Sequence, residues 1–333
     1  MNDRLRAVAT SVATVALFAL TTAILPSATA SAQSSMTGSA AEPEQGLLAG
    51  ANDWECEPSP EHPRPVVLVH GTGRSMQESW GNTENPSDQG PLIKPLKDDG
   101  YCVFALNCGF APSLFLGPTP IPAGRDWWGH AAIEDAAVEL AEFVDKVRTE
   151  TGSAQVDVVG YSQGGTVTRQ YLRFAGGADQ QNPANSKVHT LVMLAPSTHG
   201  TSYRDQYPTV EAARAAGASK SSQQQIIGSE FLATLNAGQE TFPGIDYTVI
   251  ASKTDRTITP YTGSFLDAAP GPSLRNVYVQ DECQNQDLFV GHSRKSFDTG
   301  PNPQVGLLEH PAPVFLARKA LDPTLQGTIP CSG

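Results

Sequence analysis

Gly160-Tyr161-Ser162-Gln163-Gly164 is the stretch of this chain that most restricts how it can fold. It follows a mostly apolar run, Val156 to Val159, and precedes a segment suited to a helix, Thr166 to Phe174. A serine between two glycines at such a junction predicts a sharp strand-to-helix turn. Side chains at Gly160 and Gly164 would crowd the bend. The turn pushes the Ser162 hydroxyl outward, and the following helix aims its electropositive N-terminus at the same spot. The five-residue pattern is common by chance, so its meaning depends on what else the chain carries and in what order.

The flanking segments place the turn in a layered α/β fold. Pro65-Val66-Val67-Leu68-Val69 is continuously apolar and ends in His70-Gly71-Thr72-Gly73. Unbroken apolarity over so short a run predicts a strand buried on both faces, as in a parallel sheet. Further strands are expected at Tyr101 to Leu106, Val188 to Leu194, Tyr247 to Ser252 and Asn276 to Gln280. Leu92 to Lys97 is a candidate helix stopped by Gly100. Ala131 to Val147 is the clearest helix, with Ile133, Ala137, Leu140, Val144 and Val147 at helical spacing. Pro313 to Leu321 predicts a last helix. Strands alternating with helices imply a mostly parallel central sheet flanked by helices. Two stretches break the alternation: Gly109 to Pro122, rich in Pro and Gly, and Thr201 to Gln225, polar and poor in apolar patterning. Long loops of this kind are where binding surfaces and lids lie.

The N-terminus has the features of a secretory signal peptide over residues 1–32. Arg4 and Arg6 precede an apolar stretch, Ala7 to Leu25, and Ala30-Ser31-Ala32 supplies small residues for cleavage. The competing membrane anchor is disfavoured by the alanine- and threonine-rich core and the processing site. Residues 33–51 are expected to be a flexible lead-in, leaving 52–333 as one domain. The whole chain carries a net charge of −12, and loss of Asp3, Arg4 and Arg6 would take it to about −13. That charge argues against nucleic acid or an anionic membrane as partner. No membrane span beyond the leader is expected, and the mature protein reads as an extracellular monomer.

The five cysteines, Cys56, Cys102, Cys108, Cys283 and Cys331, are plausible disulfide partners in an exported chain. Two bridges among five thiols allow about fifteen arrangements, and spacing does not choose between them. One arrangement pairs Cys56 with Cys102 and Cys283 with Cys331, leaving Cys108 outside both. No C-x-x-C occurs and no histidine lies near the cysteines at ligand spacing, so no metal is expected.

Acyl transfer by serine requires a neutral imidazole, a carboxylate to hold it, and N–H donors for the oxyanion. On a sheet with this turn they follow in the order Ser, acid, His. Asp255, three residues past the strand ending at Ser252, is the candidate acid; its competing role is a turn aspartate bonded to its own backbone. Asp267, Asp281 and Asp287 are less well placed. Of seven histidines, only His292 and His310 follow Asp255, and His292, in Phe289-Val290-Gly291-His292-Ser293, is the candidate base. His310 precedes Pro311 and the last helix, and reads as a surface or packing residue. His62, His70, His130, His189 and His199 come too early, and His70 reads as a residue that holds its loop. The candidate oxyanion donors are the backbone N–H groups of Gln163 and Thr72, with the Thr72 hydroxyl as a third. Trp80, Trp127, Trp128 and the 109–122 loop are candidates to line an acyl-chain site, although most such aromatics are packing.

With those residues in place the chain resembles the secreted actinobacterial class 2 lipases of the α/β-hydrolase superfamily. The resemblance rests on P-V-V-L-V-H-G-T-G at 65–73, G-Y-C-V-F-A-L-N at 100–107 and V-D-V-V-G-Y-S-Q-G-G at 156–165. It continues through L-A-P-S-T-H-G-T at 194–201, G-S-E-F-L-A-T-L-N at 228–236 and Y-T-V-I-A-S-K-T-D at 247–255. It covers most of the chain from about Cys56 onward. It implies a triacylglycerol lipase or carboxylesterase with Ser162 as nucleophile, Asp255 as acid and His292 as base, without a cofactor. A lipid or other ester would be the substrate, met at a lipid–water interface. Acyl transfer to an alcohol, or attack on a polyester, would use the same site, because fold and triad do not set the acceptor. A non-catalytic secreted binding protein on the same scaffold is the alternative from another class. The family usually has His where this chain has Tyr161, and commonly Tyr where it has Cys108; the second difference supports Cys108 as the cysteine outside the bridges.

Overall fold

The computed structural model describes residues 45–82, 84–111, 127–267, 273–293 and 305–332. The expected signal peptide, the lead-in up to residue 44, and residues 112–122 of the Pro/Gly-rich loop lie outside them. Residues 45–51 are anchored at two points, although Gln45, Gly46 and Leu47 are exposed. Gln45 exchanges three hydrogen bonds with Asn107, and Leu48 is buried in the core, so the body of the fold begins upstream of Asn52.

Among the described residues, six strands form one sheet: β1 (Val66–Val69), β2 (Val103–Leu106), β3 (Val156–Tyr161), β4 (Val188–Leu194), β5 (Asp246–Ala251) and β6 (Ser273–Tyr278). Every pairing is parallel and the spatial order is β2-β1-β3-β4-β5-β6. The helices are α1 (Met76–Trp80), α2 (Ile93–Asp98), α3 (Ile133–Thr151), α4 (Gln163–Phe174), α5 (Val210–Ala215), α6 (Lys220–Gln224), α7 (Glu230–Leu235), α8 (Val279–Glu282) and α9 (Pro311–Leu321).

Both sheet faces are covered, which explains the continuous apolar strands. Val66, Leu68, Val159, Val192 and Ile250 pack against α1, α2 and α9. The alternate residues, including Val67, Val69, Val158, Leu191 and Val249, pack against α3 and α4. The period of two along each strand sends neighbours to opposite cores.

Three stretches differ from expectation for local reasons. The third helix runs from Ile133 to Thr151 and stops where Gly152 turns left-handed at φ 66°. Its Ala132 cap offers no side-chain acceptor; Gln224 of α6 supplies one, accepting from Ile133 N at 2.8 Å. The expected strand Asn276 to Gln280 is a correction: β6 spans Ser273–Tyr278, and Val279–Glu282 is helical. The polar run Thr201 to Gln225 holds α5 and α6, whose first turns are capped by Thr209 and Ser219 and not marked by an apolar stripe.

Two disulfides tie the periphery to the body. Cys56–Cys102 and Cys283–Cys331 close spans of 46 and 48 residues. The Cys108 thiol is buried and lies 3.7 Å from His70 Nε2.

The strand order places the functional end of the sheet. The chain runs from β1 outward to β2, then returns to β3 on the other side of β1. Loops leaving β1 and β3 therefore separate at a switch point, and crevices form beyond the carboxyl ends of such strands.

Candidate active site

Ser162 sits at that switch point, at the junction of β3 and α4. Its backbone is held at φ 52°, ψ −124°, a strained conformation for a residue with a Cβ. The strain is over-determined by neighbours: Ser162 N donates to Leu194 O at 2.8 Å, and Gly165 N donates to Ser162 O at 3.0 Å. A Cβ on Gly164 would run into the carbonyl oxygens of Val69 and His70, the latter at 2.7 Å. A Cβ on Gly71 would meet the Ser162 Cβ at 3.2 Å and the Tyr161 ring at 3.1 Å. The loop after β1 and the turn after β3 are thus in contact, and only glycine permits it.

Serine is a good helix cap, yet Ser162 makes no capping hydrogen bond to α4. Its hydroxyl faces a histidine instead. Ser162 Oγ lies 3.0 Å from His292 Nε2, and His292 Nδ1 lies 2.7 Å from Asp255 Oδ2. All three residues are buried, at 6, 4 and 5% exposure, so water does not compete strongly for these bonds. The second carboxylate oxygen, Oδ1, accepts from Thr257 N at 2.7 Å and Ile258 N at 3.0 Å. One Asp255 oxygen thus makes the local turn bonds while the other faces His292.

The ring of His292 is held from several sides. Tyr161 donates its hydroxyl to His292 O at 3.0 Å and packs its ring 5.1 Å from the imidazole. Burial pushes the Tyr161 phenol well above its ordinary range, so it remains a donor. Arg74 Nη2 donates to Ser293 Oγ at 2.9 Å. Ser252 and Thr254 both donate to Val290 O, tying the β5 end to the strand of chain before His292. Sequence reasoning missed Tyr161 and Arg74 as supports. Their positions beside the two glycine loops were the available signal.

The other candidates fall away from this centre. Asp281 pairs with Lys253 at 2.5 Å, which with Gln286 holds its carboxyl below the usual range. Asp267 and Asp287 are exposed, and Asp267 N donates to Glu240 Oε2. His310 caps α9: its Nδ1 accepts from Ala312 N at 3.1 Å, and Pro311 begins the helix. His70 holds its loop: Nε2 accepts from Cys108 N at 3.0 Å while Nδ1 lies 2.9 Å from Gly71 O. Trp80 is a core residue edge-on to Tyr161, and Trp128 is buried 5.3 Å from Phe110.

Thr72 follows Gly71 and so lies on the loop that touches Ser162. Its hydroxyl accepts from Gln225 Nε2 at 2.9 Å. Gln163, at the first position of α4, is buried, and its backbone N–H belongs to the helix N-terminus that follows Ser162. The arrangement offers a hydroxyl within reach of an imidazole, a carboxylate behind that imidazole, and a helix N-terminus with electropositive character at the hydroxyl.

Residues 134–286 match the lipase (class 2) family. Among solved structures, Aspergillus fumigatus lipase B is similar with a TM-score of 0.55 and 18% identity, over 87% of this chain and 65% of that one. The mature form of Bacillus licheniformis lipase BlEst2 aligns at 16% identity and TM-score 0.44, over 67% of this chain and 86% of that one. An α/β hydrolase from Moroccan lagoon sediment aligns at 17% identity and TM-score 0.39, over 74% and 84%. This chain spans about 65% of the length of the fungal lipase, with which it shares its fold. No curated protein matches the sequence.

Proposed function

We propose that this α/β-hydrolase, whose residues 134–286 match the class 2 lipase family, hydrolyses carboxylic esters with an acyl chain, triacylglycerols being the favoured class. The observation that carries the proposal is the relay Ser162 Oγ to His292 Nε2 at 3.0 Å and His292 Nδ1 to Asp255 Oδ2 at 2.7 Å, on a strained turn at the sheet's switch point.

In this proposal Ser162 Oγ attacks the ester carbonyl carbon while His292 Nε2 takes the hydroxyl proton. Asp255 keeps the other imidazole proton on Nδ1 and stabilises the imidazolium that forms. The tetrahedral oxyanion accepts hydrogen bonds from the backbone N–H groups of Gln163 and Thr72. The C–O bond to the leaving alcohol breaks as His292 returns the proton to the alkoxide oxygen. Water then attacks the acyl-serine by the same relay, releasing the acid and restoring Ser162. Every proton is passed among these side chains and the reactants, and the reaction consumes only ester and water.

We place the enzyme outside the cell. Two disulfides suit an oxidising compartment, and the leader-like residues 1–32 supply a route of export. Among the described residues no helix is long and apolar enough to cross a membrane.

The test is Ser162→Ala against the parent chain on p-nitrophenyl esters from acetate to palmitate, with and without emulsified triacylglycerol. Turnover by the parent and a loss of about 10⁴-fold or more in the variant is the expected result. A parent inactive on every ester sinks the proposal, and full activity in the variant removes Ser162 from it. A preference for acetate and butyrate would make the substrate a short-chain ester.

A further inference from the structure

A buried file of polar side chains runs from the nucleophile's helix to the loop after β1. Thr166 Oγ1 lies 2.9 Å from Ser197 Oγ, Ser197 Oγ donates to Gln225 Oε1 at 2.8 Å, and Gln225 Nε2 donates to Thr72 Oγ1 at 2.9 Å. Thr166 and Ser197 are fully buried and Gln225 is 1% exposed. Four elements meet in it: α4, the loop after β4, the end of α6, and the loop after β1.

The direction of each bond follows from one fixed point. Gln225 Nε2 also donates to Ser221 O at 3.2 Å, and a carbonyl can only accept. The amide nitrogen must therefore face Ser221 and Thr72, and the amide oxygen must face Ser197. Ser197 has one proton, and it goes to that oxygen. Thr166 then donates to Ser197. At the far end the Thr72 oxygen is an acceptor for Gln225, so its own proton is directed elsewhere. The Gln225 backbone is fixed as well: its carbonyl accepts from Thr201 N at 2.9 Å and its N–H donates back into the last turn of α6.

We infer that Gln225 is a positioning residue for ester hydrolysis: it holds the Thr72 hydroxyl as an acceptor on one side so that its proton is offered to the substrate oxyanion on the other. The inference rests on the proposed ester hydrolysis at Ser162. Tyr203 is the second hydroxyl neighbour of Thr72, and it also meets Ser222. Its phenol, pushed up to about 12 by burial, stays protonated and neutral at working pH. The oxyanion, carrying full charge, is a stronger acceptor for the Thr72 proton than a neutral phenol oxygen. The bonds from Thr166 through Gln225 to Thr72 are already made and only the Thr72 proton has to turn, which is the preorganisation that makes oxyanion donors effective.

The experiment compares Gln225→Leu, Gln225→Glu, Thr72→Val, Thr72→Ser and the double variant Gln225→Leu/Thr72→Val on p-nitrophenyl butyrate, with folding checked by circular dichroism melts. Phenylboronic acid serves as the probe of the oxyanion site. Gln225→Leu should lower kcat by roughly 10- to 100-fold while KM stays within about threefold, and should raise the boronate Ki by a similar factor. Thr72→Val should do the same, the double variant should lose little more than either single one, and Thr72→Ser should retain activity. Gln225→Glu should be worse than Gln225→Leu, because a carboxylate accepts the Thr72 proton. Losses that multiply in the double variant, or a Gln225→Leu enzyme with unchanged kcat and Ki, overturn the inference while leaving ester hydrolysis intact. If Gln225→Leu does not fold, Thr72→Val decides: unchanged kcat there overturns the inference by itself. A parent chain that turns over no ester overturns both readings together.

Discussion

Asp255 and His292 are joined through Oδ2 and Nδ1 at 2.7 Å, while the other Asp255 oxygen closes a turn on Thr257 and Ile258. One oxygen orients the imidazole and the other fixes the carboxylate. The side chain cannot swing away from His292 without breaking two backbone bonds.

Asp255→Asn separates these tasks. The amide oxygen can still accept from Thr257 and Ile258, so the turn persists. The amide nitrogen then faces His292 Nδ1 as a donor, which drives the ring proton onto Nε2 and leaves no base for Ser162. The expected loss is about 10³–10⁴-fold in kcat with a nearly unchanged melting temperature. Asp255→Ala should lose activity and also about 1–3 kcal/mol of stability, through two unsatisfied N–H groups. Urea unfolding beside steady-state kinetics checks the pair of outcomes.

His292 and His310 are both buried and both follow Asp255, yet substitution should affect different properties. His292→Ala should abolish turnover with little change in stability. His310→Ala should keep reactivity toward a fluorophosphonate and lose about 1 kcal/mol, the usual cost of a lost helix cap. A turnover loss in His310→Ala as large as in His292→Ala would exchange their roles.

His310 also gives the stability a pH dependence. Burial holds its folded pKa below the ordinary 6.5. Its Nδ1 must keep a lone pair for Ala312 N, and a charge there would oppose the positive end of α9. As pH falls below about 6.5 the unfolded chain takes up this proton before the folded one does. The contribution of His310 is complete above about pH 6.5 and is lost as pH drops toward the lowered value. His310→Asn should retain the cap and flatten this part of the stability profile, measured by urea midpoints from pH 7.5 to 5.

The Cys56–Cys102 bridge ties the segment before β1 to the start of β2 across 46 residues. In the chain-entropy model a loop of that length is worth about 4 kcal/mol. Replacing both cysteines with serine should lower the urea midpoint accordingly, and Cys283→Ser/Cys331→Ser should act similarly at the C-terminal tail. Cys108→Ser should change the stability far less, since no covalent constraint is removed.

The parts of this fold that were legible in the sequence are those with a strong period or a chain-order rule. Val66 to Val69 and Val188 to Leu194 announce strands covered on both faces. Ile133, Leu140 and Val144 announce α3. The order of Ser162, Asp255 and His292 singles out three side chains that the fold brings within hydrogen-bond distance. Gln225 had no such signal. It lies in a polar run, its partners Thr72 and Ser197 are 153 and 28 residues away, and a glutamine amide has no spacing rule. The short α5 and α6 were hidden for the same reason, since caps and tertiary bonds hold them in place of an apolar face. The role of His310 was partly visible: a polar residue before Pro at the start of an apolar helix is a start signal.

Tyr161 ties the serine turn to His292. It is the last residue of β3, next to Ser162, and donates to His292 O at 3.0 Å. Its ring also fills the space between Trp80 and the imidazole. Tyr161→Phe keeps the ring and removes one hydrogen bond to the His292 carbonyl, at a cost of about 0.5–1.5 kcal/mol. Because that carbonyl belongs to His292, the loss should be felt where the base is positioned. The expected outcome is a several-fold fall in kcat at near-constant KM, with a lower melting temperature. Tyr161→Ala should be worse on both counts, since the cavity beside Trp80 adds about 3–5 kcal/mol. Equal kcat in the parent and Tyr161→Phe would show that packing of the ring alone holds His292, and that the hydroxyl serves stability only.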